Sequence, residues 1–411
     1  MTMRSLLAAV ATLCLLGIAA GCGAASETGS GGSLAPASAR AVAELDGNLD
    51  SNQWEAARGL IDRFPDGDKL LEKLREVDGA AGDRIVVVAL DDDDALVLTQ
   101  PDDASKLRSF VDEYHLVSRE LEGWTAIAEE TGTLDAYERA LEGGTLEGDA
   151  QYEAARDTFP DEALATLYAS GHATGDWTAL ALTAEDDGFR VAGHMKTAVA
   201  RRLQPIDQEA LAEVPGDALA VLAFGGGDLA SHLPDQFGLG MELRPILDAL
   251  SGGAVIWVSP GIPIPEVTVI LPNGDSALVD QLLQTFAGET PEDTTLDGQP
   301  AKRIRTGPVT ITYAEVDGRL VLTTGSSLHG SGGLEDDEGF QAARDKAGLP
   351  DPTDAFLYVD VQRVSALVGL LGATGAVPPE LTRNLEHLDW LYLAAGGQSS
   401  DQQIGAFLAI R

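Results

Sequence analysis

The residues that could do chemistry are few and scattered. Four carboxylates stand side by side at Asp91-Asp92-Asp93-Asp94. A hard cation such as calcium needs several oxygens at close range. Neighbouring side chains on an extended chain point in opposite directions, so four consecutive aspartates cannot all converge on one ion. No glycine and distal glutamate follow at the spacing of a calcium loop. The run is read as a solvated hairpin turn. A second acidic run, Glu335-Asp336-Asp337-Glu338, stands just ahead of a helical pattern. Negative charge there is favoured by the dipole of the helix N-terminus.

Phe224-Gly225-Gly226-Gly227-Asp228 lies between a strand pattern and a helix pattern, the position of a phosphate loop. It lacks the lysine of a P-loop and the spacing of a dinucleotide fingerprint, and Asp228 stands where an anion would sit. A tight turn in which Asp228 caps the next helix accounts for it. The six histidines (His115, His172, His194, His232, His329 and His387) show no metal-ligand spacing. Ser326-Ser327-Leu328-His329 puts hydroxyls near an imidazole without a nucleophile elbow. Carboxylates are too abundant for any acid–base pair to stand out. The expectation is a protein that is not an enzyme, with no catalytic, metal or cofactor-binding residues.

One residue does carry an expected modification. Arg4 is followed by an apolar run, Leu6 to Ala20, too short for a good membrane span. It ends Ile18-Ala19-Ala20-Gly21-Cys22, and small residues directly before a cysteine resemble the bacterial lipoprotein signal, in which that cysteine is lipidated. Residues 1–21 are then a signal peptide, and Cys22 carries the lipid. The other cysteine, Cys14, leaves with the signal, so the exported part has no disulfide. Several acyl chains hold a protein firmly where one does not. The expected location is the extracytoplasmic face of the cell membrane, with the membrane engaged through the lipid on Cys22. Residues 23–38 are rich in Gly, Ser and Ala, so 22–40 is expected to be a flexible tether.

Beyond the tether, patterning predicts the elements. Trp54, Ala57, Leu60, Ile61 and Phe64 share a helix face, Pro65-Asp66-Gly67 breaks it, and Leu70, Leu71 and Leu74 begin a second helix. Ile85–Leu90 and Ala95–Thr99 form a hairpin about the aspartate turn. Asp103 and Asp149 cap helices. Strands follow at Trp124–Ala128, Leu164–Tyr168, Trp177–Thr183 and Phe189–Met195. The last alternates apolar residues with Arg190, His194 and Lys196, the pattern of a sheet with one wet face. Later come strands at Leu219–Phe224, Val255–Val258 and Val267–Leu271, and a helix carrying Leu278, Leu282 and Phe286. The chain ends with a hairpin turned at Asp317-Gly318, a short helix Val364–Leu371, and strands Trp390–Ala394 and Ile404–Ile410.

One stretch recurs. Leu146–Asp157, with Phe159-Pro160-Asp161 and Ala165-Thr166-Leu167-Tyr168, is echoed by Leu334–Asp345, Leu349-Pro350-Asp351 and Ala355-Phe356-Leu357-Tyr358. The shared pattern is an acidic turn, an aromatic, Ala-Ala-Arg-Asp, an apolar-Pro-Asp corner and a segment ending Leu-Tyr. Duplication of a structural unit is the expectation. The predicted fold is α+β: two tandem homologous repeats, 41–204 and 205–411, of mostly antiparallel sheets with helices packed on one face.

The run Gln53-Trp54-Glu55-Ala56-Ala57-Arg58-Gly59-Leu60-Ile61-Asp62-Arg63-Phe64-Pro65-Asp66-Gly67, the duplicated Leu-Tyr units and Pro215-Gly216-Asp217-Ala218-Leu219-Ala220 resemble a bacterial family of exported proteins, domain of unknown function 3352. The resemblance spans most of the exported chain and departs between Leu74 and Gly82, where the connection to the first hairpin is short. It implies no activity, cofactor or catalytic residue. A net charge of −39 repels nucleic acid, so none is expected as a partner. The expected function is a lipid-anchored, non-enzymatic protein presenting its surface to an envelope protein. The alternative is a carrier or sensor of an apolar ligand.

Overall fold

The computed structural model describes residues 31–411, apart from 78, 92, 172–175, 198–203, 228–249, 262–263, 275, 278, 281–289, 308, 349–352, 373–377 and 399. Cys22, the signal region and the first part of the tether lie outside the described residues, as do Leu278, Leu282 and Phe286. The fold is α+β, with antiparallel strands throughout and ten helices among the described residues.

The strands are β1 (Ala41–Asp46), β2 (Arg84–Ala89), β3 (Ala95–Thr99), β4 (Val117–Leu121), β5 (Trp124–Ala128), β6 (Ala165–Gly171), β7 (Asp176–Glu185), β8 (Gly188–Lys196) and β9 (Ala220–Gly225). Then come β10 (Gly253–Ser259), β11 (Glu266–Leu271), β12 (Glu292–Leu296), β13 (Gln299–Thr306), β14 (Val309–Val316), β15 (Arg319–Thr323), β16 (Thr353–Asp360), β17 (Leu388–Gln398) and β18 (Asp401–Ile410). The chain divides into two compact units. The first runs to Val199 and also takes Pro378–Asp389 and Ser400–Arg411; the second is Ala200–Val377 with Trp390–Ser399. The C-terminal strand therefore goes with the first unit, because β18 pairs along β8 from Asp401↔Lys196 to Ala409↔Gly188. This differs from an undivided second domain over 205–411.

In the first unit the strands lie in the order β4-β5-β3-β2-β1-β6-β7-β8-β18. Helices cover both of its faces, not the single face expected. Val86, Val88, Leu96, Leu98, Ala126 and Ala128 pack with Leu134, Tyr137, Tyr152 and Ala155 of the helices Thr131–Leu141 and Ala150–Arg156. Their strand neighbours Val97 and Ile127 pack with Leu107 and Val111 of the helix Ala104–Glu113. Adjacent strand residues point to opposite sides, so these helices lie on opposite faces. The physical reason is visible in Ile85–Leu90: an unbroken apolar run needs cover on both sides. At the other end of the strands Trp54, Ala57 and Leu60 of the helix Asn52–Ile61 close over Leu164, Ala184 and Phe189.

In the second unit the order is β12-β13-β14-β15-β11-β10-β9-β16-β17. Val221, Ala223, Val255, Trp257, Tyr358 and Tyr392 form the main core with Phe340 and Ala343 of the helix Glu338–Ala347. A smaller cluster on Ala254, Leu271, Tyr313 and Leu320 joins Val279.

Helix starts follow their caps. Asp103 accepts from the backbone N–H of Ser105 and Lys106, Asp149 from Gln151 and Tyr152, and Asp337 from Phe340. The acidic turn before residue 338 thus starts a helix, as its sequence predicts.

Candidate functional site

The site is built from the last four strands in the order of the second unit, β10, β9, β16 and β17. In β9, Ala220-Val221-Leu222-Ala223-Phe224 is apolar without a break, and so is Phe356-Leu357-Tyr358-Val359 in β16. Alternate residues of these strands must face opposite ways. Val221, Ala223, Phe356 and Tyr358 enter the core. The other set forms a second surface. Leu222 stands opposite Ile256 on one side and Leu357 on the other, and Leu357 stands opposite Leu393. The next row on the same face is Val258, Ala220, Val359 and Leu391. Eight apolar side chains on four strands thus share one face with no polar group among them. The four strands span about 14 Å at ordinary inter-strand spacing.

This face is not sealed. Leu222 keeps 40% of its surface exposed and Leu393 43%, and Val267, opposite Val258 on β11, keeps 36%. An antiparallel sheet facing water ordinarily carries polar residues there. A contiguous apolar patch of this kind marks a surface that meets something apolar.

The residues singled out by chemistry are occupied with structural work. Asp91 Oδ1 accepts the backbone N–H groups of Asp93 (2.9 Å) and Asp94 (2.8 Å), which hold its carboxyl below the ordinary value. Asp94 accepts the Thr133 hydroxyl at 2.9 Å, tying the turn to the helix Thr131–Leu141. Asp92 lies outside the described residues. Glu335 pairs with Arg344 at 3.0 Å, and Asp337 with Arg363 at 3.0 Å.

At the glycine loop, a Cβ on Gly225 would lie 1.5 Å from the Gln204 carbonyl oxygen. The Gly227 N–H donates to Ser251 O at 2.8 Å. The glycines there permit a close chain crossing, and Asp228 lies outside the described residues. The Ser327 hydroxyl donates to Asp297 (2.8 Å) and accepts the His329 backbone N–H (3.1 Å), so its link to His329 runs through backbone and not through the imidazole. His194 is 3.9 Å from Asp401, His329 is 3.6 Å from Glu213, and His387 packs on the Phe64 ring. His172 and His232 lie outside the described residues. Among the described residues no group of three or more His, Cys, Asp or Glu side chains is placed to hold a metal ion.

Two polar sites escaped the sequence reading. Lys302 and the Tyr313 hydroxyl both donate to Asp280. Burial pushes the Asp280 carboxyl up, but these two donors outweigh it and hold it below its ordinary value. Burial, and then the Asp280 charge, raise the Tyr313 phenol. The phenol therefore stays protonated and serves as a fixed donor, not as a base. The three residues come from distant stretches of chain, so no local motif announces them.

The second is Asp354, which is 9% exposed and has one carboxyl oxygen without a hydrogen-bond partner. Burial raises its carboxyl, partly offset by the Gly397 N–H. The folded state therefore holds this proton more tightly than the unfolded chain. Its contribution to stability is full in acid below the ordinary carboxylate value and is lost as pH rises from there through the raised folded-state value. Asp354→Asn is expected to raise stability at neutral pH by about 1 kcal/mol, with the gain shrinking in acid. Urea midpoints of both proteins at pH 7 and pH 4 check this. A variant less stable than wild type at pH 7 would contradict it.

The surface hollow beside the helix Ala104–Glu113, about 390 Å³, is lined by Lys106, Ser109, Glu113 and Tyr114 among others, a mixed polar set. Among the described residues no helix is long and apolar enough to cross a membrane. Comparison with family models, with curated proteins and with solved structures finds no match to this chain.

Proposed function

We propose that this chain is a lipid-anchored binding protein of the extracytoplasmic membrane face that takes an apolar ligand and catalyses no reaction. The anchor is the lipid on Cys22, carried by the signal-like sequence before it. The observation that carries the binding function is the row Ile256–Leu222–Leu357–Leu393, apolar throughout and partly open. A chain-like ligand such as an acyl group laid across that row would bury surface worth about 25 cal/mol per Å². Membership of the domain of unknown function 3352 family is part of the same proposal.

We also propose that the two units descend from one duplicated unit. Support comes from matching connections: β1 pairs with β2 and β6, and β9 with β10 and β16. Likewise β3 pairs with β2 and β5, and β11 with β10 and β15. The motif aromatics Tyr152 and Phe340 take equivalent places over Tyr168 and Tyr358.

Native mass spectrometry after gentle purification tests the binding function. Wild type is expected to retain an apolar adduct, and the double variant Leu222→Glu, Leu393→Glu to lose it while unfolding at a similar urea concentration. Wild type that carries no adduct, and binds no fluorescent fatty acid, would overturn the reading. Reproducible turnover of a substrate by pure protein would overturn its non-enzymatic part.

A further inference from the structure

Composition makes the stretch from Cys22 to Arg40 a loose linker, yet its last ten residues are built into the first unit. Gly31 and Gly32 are buried, and Ala35 and Ala39 have no exposed surface. Backbone bonds clamp the stretch at both ends. The Ala37 N–H donates to Gly144 O (2.9 Å), and Leu146 and Glu147 donate to Ala35 O (2.9 Å) and Gly32 O (3.1 Å). Arg40 bridges two strands, donating to Ala89 O (2.9 Å) and accepting from Ser170 (2.8 Å).

Side chains complete the clamp. Gly31 N–H donates to Glu44 Oε1 at 2.6 Å, and Gly32 N–H to the Tyr152 hydroxyl at 3.0 Å. Tyr137 donates to Leu34 O at 2.6 Å. Burial, with the nearby Glu122 charge, pushes the Tyr137 phenol up to about 12, so it remains a donor at any physiological pH.

The two glycines serve close approach, not flexibility. A Cβ on Gly31 would lie 2.5 Å from Glu44 Oε1, and one on Gly32 would lie 2.3 Å from the Tyr152 ring. The clamp changes the reach of the anchor. Fully extended, the nine steps from Cys22 to Gly31 span only about 30 Å, whereas the eighteen steps to Arg40 would span about 60 Å. The protein bears a net charge of −39, so an anionic bilayer pushes it away.

We propose that residues 31–40 are a docked strap that halves the anchor's reach and keeps the Tyr152 end of the first unit within about 30 Å of the lipid surface. The partner of that end is a phospholipid bilayer. This rests on lipidation of Cys22, part of the function proposed above.

The test uses the full, processed protein in vesicles of phosphatidylethanolamine and phosphatidylglycerol. A dye is placed at Glu147→Cys, an exposed position beside the strap, and energy transfer is read to acceptor-labelled headgroups. Two variants lengthen the leash by different routes. Gly32→Ile expels the strap, and an insertion of nine Gly and Ser residues directly after Cys22 leaves the folded unit untouched. Both are expected to lower transfer at least twofold. Hydrogen exchange at residues 31–40 should rise in Gly32→Ile alone. Unchanged transfer in the insertion variant overturns the proposal even if Gly32→Ile proves unstable. Cys22→Ser separates the two failures. Its release from vesicles alongside unchanged transfer in the insertion variant condemns the strap only, whereas its retention overturns the anchor on which both rest.

Discussion

Phe340→Ala is expected to cost the folded protein about 3–5 kcal/mol, the usual range for truncating a buried aromatic. Phe340 is 1% exposed and is the hub of an aromatic cluster. Its ring lies 5.5 Å from Phe356, 5.3 Å from Tyr358 and 5.9 Å from Tyr392, the last two edge-on. Edge-on pairs add to the value of simple burial. The cavity cannot refill easily, because Phe356 and Tyr392 are already stacked on each other at 5.7 Å. Urea unfolding followed by fluorescence gives the result directly, as a lower midpoint with an unchanged slope. A loss below about 1 kcal/mol would mean that the motif aromatic is not a core anchor.

The second large effect is expected at a residue with no side chain. Gly82→Ala should destabilise by roughly 2–4 kcal/mol, from left-handed strain together with overpacking. Gly82 has φ +63, and a Cβ there would lie 1.8 Å from the Gln100 carbonyl oxygen. Backbone cannot swing aside as a flexible side chain can. Gly82 in turn receives Gly47, whose own Cβ would lie 1.7 Å from the Gly82 carbonyl oxygen. Three chain segments thus cross in contact beside the first hairpin. Gly59 is the control. It sits in the helix Asn52–Ile61, and a Cβ there would meet nothing within 4 Å. Gly59→Ala should stabilise by about 0.5–1 kcal/mol through helix propensity alone. Unfolding midpoints that move the same way for both variants would contradict the crossing.

Much of the fold was legible because it is local. The hairpin at the aspartate turn, the helix break at Pro65, the caps at Asp103 and Asp149 and the acidic start of the helix after residue 337 each depend on residues a few positions apart. The strands that went unrecognised are β1, β4, β12 and β13. Val117–Leu121 carries Arg119 and Glu120, Glu292–Leu296 is largely polar, and Gln299–Thr306 contains Pro300 and three basic residues. Among the described residues β4 and β12, each at one end of its order, pair on one side only. Such strands need little apolar patterning, and the partner that makes them strands lies elsewhere in the chain.

The candidate site divides in the same way. The composition of β9 and β16 shows that both sides of each strand are apolar. It does not show which side receives Phe340 and which keeps Leu222 and Leu393 open. Likewise, Gly-Ser-Ala composition is identical for a free tether and a docked one; only Tyr152, brought in from 120 residues along the chain, leaves no room for a side chain at Gly32. By itself the sequence determined the α+β class, the helix caps and most of the hairpins, since these follow from short-range periodicity and turn chemistry. Tertiary structure alone decided that helices cover both faces of the first unit, that the C-terminal strand returns to β8, that the strap is docked, and that one apolar row stays partly open. Each of these depends on contacts between residues distant in sequence, whose geometry no local pattern encodes.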